Sequence, residues 1–406
     1  MNVKAYCNEI LIDFTNLVIT ALYYLFIVLG PVSERLVTEI LRQCGIVING
    51  SNASDIKVLD NRFYAKFLSG AWVGIAESYV DKYFECDDLI AMFAKLCKHK
   101  NFKYFCYHPA ILWYAFIRRH FGLQSDESAY EDGGKGYDEG VFARDDNKDG
   151  EEEIYRTYSC AYWRNANSLE EALNKKLELV ANKLKLKSGM RVLDVGCGEG
   201  TFCRYLAENF DVSVVGVNIS KEMAETARKN CRNNKNVVIK RADGRKINET
   251  YDRIVCIEVI ELMGIKNLRP FFETVHRCLS EDGLFFIECV AVNHPFIPIT
   301  ENLFEKFTDV KTAFPYFTDI TNAIDGLFVI EDWQNIGTHY ARMFKEEAKR
   351  IEQLQANEKS KFDEKVFTGT LVTYRFFSAM LASRYYHVYH IVLSKNGVQG
   401  GYDAVV

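Results

Sequence analysis

The chain has 406 residues, a formal charge of −5, 48% hydrophobic and 26% charged residues. At roughly 100–200 residues per domain this length predicts two or three units, and the acidic balance lacks the basic footprint of a nucleic-acid binder. The 12 cysteines form no C-x-x-C pair, which argues against zinc clusters and a small disulfide scaffold and for a reducing, cytosol-facing location.

The first feature in chain order is an apolar leader, residues 1–36. Phe14 to Val32 runs without a charge, long enough against the roughly 17–25 residues of a bilayer span to predict a single anchor or an interfacial helix. Acids precede it and no A-x-A site follows, so it does not read as a cleaved signal. Residues 37–124 predict a helical cap with short strands, mixing aromatics and acids as in Glu77 to Leu89. Residues 125–154 predict a mobile acidic loop. Its Asp-x-Asn-x-Asp run lacks the glutamate an EF-hand needs twelve positions on, so no metal site is expected.

Residues 155–406 alternate helix and strand. Leu169–Leu184 has helical periodicity, and Arg191–Val195 is a β-branched strand ending in the turn Gly196-x-Gly198-x-Gly200. Helix Thr201–Asn209, strand Val212–Val217, helix Glu222–Cys231 and strands at Val237–Lys240, Ile254–Ile257 and Leu284–Ile287 follow. Such alternation predicts a doubly wound, mostly parallel α/β sheet of Rossmann-like type. Ligands of these sheets bind beyond the carboxyl ends of the strands. The G-x-G-x-G spacing is one residue shorter than the dinucleotide fingerprint. With Asp194 before it, the loop suits the amino group of a methionine moiety better than a pyrophosphate, so the expected ligand is S-adenosylmethionine (SAM) and the fold that of a class I SAM methyltransferase. Asn218, ending the second strand, is the candidate for the ribose hydroxyls, and Asp243 for the adenine amino group.

From Tyr158-Ser159-Cys160-Ala161-Tyr162-Trp163 onward the chain resembles the cyclopropane-fatty-acyl-phospholipid synthase family. The same pattern runs through Gly45–Gly50, Gly74–Tyr79, Val214–Val217, Tyr251–Val255 and Glu331–Asn335, and spans residues 40–400. The resemblance places Tyr158 and Ser159 at the cofactor. It implies methyl or methylene transfer from SAM to the double bond of an unsaturated acyl chain. Members hold a bicarbonate ion as proton acceptor, and the matching positions are Cys160, Glu261 and Tyr340. The family's His after the fifth strand is here Glu288, its Glu-His pair reads Glu261-Leu262, its H-Y-D motif is Gly136-Tyr137-Asp138, and its F-P-x-G-x-x-P loop shrinks to Phe314-Pro315. Two carboxylates disfavour an anion between them, which makes bicarbonate doubtful and Glu288 a candidate general base. The partners expected are an unsaturated phospholipid or fatty acyl substrate and a membrane surface, with pairing of two copies an option. N-methylation of a small amine, and SAM or lipid binding with impaired catalysis, are the alternatives.

Overall fold

The computed structural model describes residues 3–100, 112–113, 159–293, 303, 306–307, 312–356 and 364–405. The acidic segment 125–154, the Gly136–Asp138 motif and Tyr158 lie outside them.

The leader forms α1 (Val3–Val28) and α2 (Gly30–Gln43). Pro31 stands in the first turn of α2, where its missing N–H costs nothing but forbids continuation of the preceding helix. The two helices bend by 102°, and among the described residues no single helix is long and apolar enough to cross a membrane; the bent pair passes that test by length and composition alone. The apolar run Phe14–Val32, expected as an anchor or interfacial helix, is broken at Leu29 into this bent pair. Much of α1 stays bare, with Leu17 65% and Tyr24 63% exposed.

A two-residue ladder, β1 (Lys57–Val58) with β2 (Phe84–Glu85), brackets α3 (Arg62–Val80), and α4 (Leu89–Lys98) follows. Asp88 caps α4 by accepting from the Ala91 amide at 2.9 Å, a contribution of about 1 kcal/mol.

The main body starts with α5 (Leu169–Lys183), capped by Ser168, whose hydroxyl accepts from the Glu171 amide. Then come β3 (Arg191–Val195), α6 (Thr201–Asn209), β4 (Ser213–Asn218), α7 (Lys221–Asn230), β5 (Val237–Arg241), β6 (Tyr251–Ile257), the single turn α8 (Ile260–Met263), α9 (Leu268–Cys278) and β7 (Leu279–Val292). After α10 (Phe317–Ile324) come β8 (Val329–Asn335), α11 (Gly337–Ala356), α12 (Glu364–Ala382) and β9 (Tyr386–Ser394).

The seven-stranded sheet has the order β5-β4-β3-β6-β7-β9-β8. Strands β3 to β7 are parallel, and β9 inserts antiparallel between β7 and β8. Strand order reverses beside β3, so β3 and its neighbours present their carboxyl ends at the switch point where a ligand crevice opens. Runs such as Val192-Leu193 and Phe285-Phe286-Ile287 are fully buried, as expected of strands covered on both faces.

The C-terminal helices do not belong to the sheet domain alone. Trp72 of α3 and Phe93 of α4 each lie 4.9 Å, ring to ring, from Phe376 of α12, and one continuous apolar cluster runs from Val37 to Val388. The cap is thus built from both ends of the chain, rather than from residues 37–124 only.

Candidate active site

The turn after β3 is tied to its neighbour by the Gly196 and Cys197 amides, which both donate to the Val217 carbonyl at 2.8 and 3.1 Å. Gly196, Gly198 and Gly200 have φ of +75°, +54° and +81°, the left-handed region that favours glycine. A Cβ at Gly196 would stand 2.3 Å from Cγ2 of Val259, whereas one at Gly198 would meet nothing within 4 Å. Gly196 is therefore required by packing against the β6 segment, and Gly198 borders open space. Gly196, Gly198, Asn218 and Glu258 all keep accessible surface at the carboxyl ends of β3, β4 and β6, the edge at which ligands of such sheets bind.

Asn218 closes a turn by accepting from the Ser220 amide at 3.0 Å, which leaves its NH2 for a ribose hydroxyl. The other two cofactor candidates are engaged differently from expectation. Asp194 is buried and accepts from the Cys203 thiol of α6 at 3.3 Å; burial raises its carboxyl to about 6. Its position supports the turn from beneath, in the packing between β3 and α6. Asp243 accepts from the Arg245 amide at 2.9 Å and pairs with the Arg245 guanidinium at 2.8 Å. Burial opposes its ionisation, but Arg245 more than offsets it and holds the carboxyl low. That bidentate pairing takes up the carboxylate expected at the adenine. The glycine turn, the bordering space and Asn218 fit SAM.

The chemical cluster lies one strand over. Glu258 directly follows β6 with φ +51°, a conformation costing a non-glycine residue of order 1–3 kcal/mol. One of its oxygens accepts from the Cys160 amide at 3.1 Å, and the other from the Tyr340 hydroxyl at 2.9 Å. Burial, then the charges of Glu288 and Glu261, push its carboxyl well above the usual range, while Tyr340 and Lys176 pull the other way. The Cys160 thiol is fully buried and pushed well up by burial, so it serves as an apolar wall and not a thiolate. Tyr340 is fixed by stacking on Phe344 at 4.5 Å. Beside it, His339 accepts from the Trp163 amide at 2.9 Å, which pins α11 to the Cys160 segment.

Glu261 occupies another place. It accepts from the Val290 amide, it is 3% exposed, and its other oxygen has no hydrogen-bond partner. Burial raises its carboxyl to about 8, with Glu288 adding to the rise; the Cys256 and Cys289 thiols also face it. A folded-state value above the unfolded one stabilises the fold fully below about pH 4.5, and this stability is lost as pH rises through 8, at about 1.4 kcal/mol per unit. Glu261→Gln should abolish that component. The difference in melting temperature between variant and parent should then rise steadily from pH 5 to pH 8, and a flat difference would contradict the assignment.

Glu288, on β7, faces His390 of β9 as a direct cross-strand neighbour, and the His390 Nε2 lies 2.7 Å from its carboxylate. Burial opposes ionisation of Glu288, but the Lys176 ammonium and His390 outweigh it and hold the carboxyl below its usual value. The pairing with His390 occupies one oxygen of this candidate base, and the other has no hydrogen-bond partner. Lys176, wholly buried on α5, donates to the Ser159 hydroxyl at 2.5 Å; Ser159 thus orients the cation.

Sequence reasoning missed Glu258, Lys176 and His390. Lys176 had a signal: Leu173, Lys176, Leu177 and Val180 form one helical stripe, and a lysine on an apolar stripe is rarely buried without a partner. Glu258 sits three residues before Glu261 in the same segment, and nothing in the letters reveals which of the two adopts positive φ.

The sheet order, the glycine turn and the acidic cluster beyond β6 define a class I SAM-dependent methyltransferase. A family model described as mycolic acid cyclopropane synthetase matches residues 152–391. The chain belongs to this cyclopropane synthase family. It is 35% identical over 308 residues to the cyclopropane-fatty-acyl-phospholipid synthase of Escherichia coli, covering 75% of this chain and 78% of that protein. Cyclopropane mycolic acid synthase 1 of Mycobacterium tuberculosis is 38% identical over 144 residues, 34% of this chain and 50% of that protein. Among solved structures, mycolic acid cyclopropane synthase CmaA1 in complex with SAH and CTAB superposes with TM-score 0.55 at 25% identity, covering 60% of this chain and 91% of its own.

Proposed function

We propose that this protein transfers the methyl carbon of SAM to the double bond of an unsaturated phospholipid acyl chain and closes it to a cyclopropane. The observation that carries this reading is the placement of carboxylates, Tyr340 and aromatic rings directly beyond the glycine turn, in a chain 35% identical over most of its length to a cyclopropane-fatty-acyl-phospholipid synthase. SAM, when bound, supplies an electrophilic methyl group. The chain supplies the remainder. Tyr340 and Phe344, with Phe377 5.3 Å from Phe344, form an aromatic wall suited to positive charge on the substrate. The acidic cluster accepts the proton that ring closure releases.

Expression in a host whose phospholipids carry unsaturated chains should add one CH2 to those chains, read by lipid mass spectrometry. Labelled SAM delivering methyl groups to small amines instead, or to nothing, would overturn the reading.

The leader places the enzyme at the substrate. Phe14, Leu17, Tyr24, Leu25 and Val28 are exposed on α1, an apolar face that a lipid surface would cover. Association with the cytoplasmic face of a membrane follows from this reading, with the bent pair lying in the interface. Leu17→Glu combined with Leu25→Glu should lower binding to phosphatidylglycerol-containing vesicles by tenfold or more, measured by co-sedimentation. Unchanged binding would contradict it. A pairing of two copies is compatible with the same face, and sedimentation at two protein concentrations tests it.

A further inference from the structure

The geometry points to Glu258 as the built-in proton acceptor of the reaction, its carboxylate standing where a captured anion would otherwise have to sit. This rests on the proposed function. Two donors converge beyond β6, the Cys160 amide and the Tyr340 hydroxyl, and both are taken up by the two oxygens of Glu258, at 3.1 and 2.9 Å. A third amide nearby, that of Val290, is taken up by Glu261. Bicarbonate does not fit this arrangement: the donors it would need are already held by carboxyl groups of the chain.

Among the three glutamates the roles separate. Glu288 is 0% exposed and bound to His390, and Glu261 is 3% exposed. Glu258 alone of the three keeps more than marginal accessible surface, and its neighbour Val259 abuts the glycine turn at Gly196. Holding a Cβ-bearing residue at φ +51° is a standing cost that a glycine would not incur. The carboxylate gained is what that cost sustains.

The step balances. The alkene π pair bonds to the methyl carbon as the S–C bond breaks with its electrons left on sulfur. The C–H pair of the added methyl then forms the second C–C bond, and the proton passes to the ionised form of Glu258, which the positive charge of the sulfonium and then of the carbocation favours against its raised resting value. The neutral acid returns that proton to water through its accessible edge once product leaves.

The test uses the full-length protein, SAM and vesicles of unsaturated phospholipid, in buffer stripped of carbon dioxide. The parent should turn over at the same rate with and without added bicarbonate. Glu258→Gly should lose about 10²–10⁴-fold in stripped buffer and recover at least tenfold when bicarbonate fills the vacated place. Glu258→Gln should lose as much and not recover, while both variants bind SAM in calorimetry within threefold of the parent. A readout independent of turnover is saturation-transfer 13C NMR with labelled bicarbonate, expected for the Glu258→Gly protein and absent for the parent. A parent that binds bicarbonate or slows tenfold on its removal overturns the inference, as does a Glu258→Gly protein that shows no bicarbonate signal. If the parent forms no lipid product, the functional reading fails, and the NMR comparison still decides whether Glu258 fills an anion place.

Discussion

Gly196→Ala is expected to weaken SAM binding and slow turnover by a hundredfold or more. Two costs act together. At φ +75° an added Cβ is strained by about 1–2 kcal/mol, and it would stand 2.3 Å from Val259 Cγ2, an overlap that cores resist at about 1–3 kcal/mol. Val259 cannot retreat without carrying Glu258 with it. The substitution therefore disturbs the cofactor turn and the acidic cluster in one move, so affinity and kcat should fall together. Gly198→Ala is the contrast, because its Cβ would meet no protein atom; it should cost mainly SAM affinity. Calorimetric titration and single-turnover kinetics separate the two. Equal effects on kcat from both variants would show that the Gly196–Val259 contact does not couple the sites.

Lys176→Met should lower the melting temperature by roughly 5–10 °C or more. Lys176 is a wholly buried cation bound to Ser159 whose charge favours the ionised Glu288 carboxyl, and removing a compensating charge from a buried acidic cluster costs on the order of 3–5 kcal/mol. The pH dependence gives the signature. With Lys176 present the folded Glu288 carboxyl lies below its unfolded value, so this stability exists above about pH 4.5 and fades only in acid. Without the lysine, burial dominates and the order reverses. The gap between parent and variant should therefore widen from pH 5 to pH 8. Adding Glu288→Gln should restore much of the loss, and the double-mutant cycle measures the coupling. A pH-independent gap, or no recovery in the double variant, would refute the coupling of the two charges.

Much of the sheet was legible in the letters because β-branched runs and Gly-Asp-Asn punctuation mark it. Arg191–Val195 and Thr201–Asn209 match β3 and α6 residue for residue. Strand β7 runs far past the expected Leu284–Ile287, from Leu279 to Val292, because its antiparallel partner β9 supplies hydrogen bonds that no local pattern announces. The site was legible in its outline and not in its assignments. Cys160, Tyr340 and the glutamates do gather beyond β6, yet their roles depend on backbone dihedrals and cross-strand register. The Glu288–His390 pair exists only because β9 aligns residue 288 with residue 390. Pro31 was visible in the sequence as well, but the uncharged run around it outweighed the one residue that ends α1.

The shared packing of both chain ends sets an order of assembly during synthesis. Trp72 and Phe93 find Phe376, and Cys97 lies 3.2 Å, sulfur to sulfur, from Met380, so the apolar faces of α3 and α4 wait for α12 to leave the ribosome. At about 5–20 residues per second, these early helices stay uncovered for some tens of seconds. Nascent chains should accordingly recruit chaperones throughout elongation, and products truncated before Glu364 should aggregate even though the nucleotide-facing strands are complete.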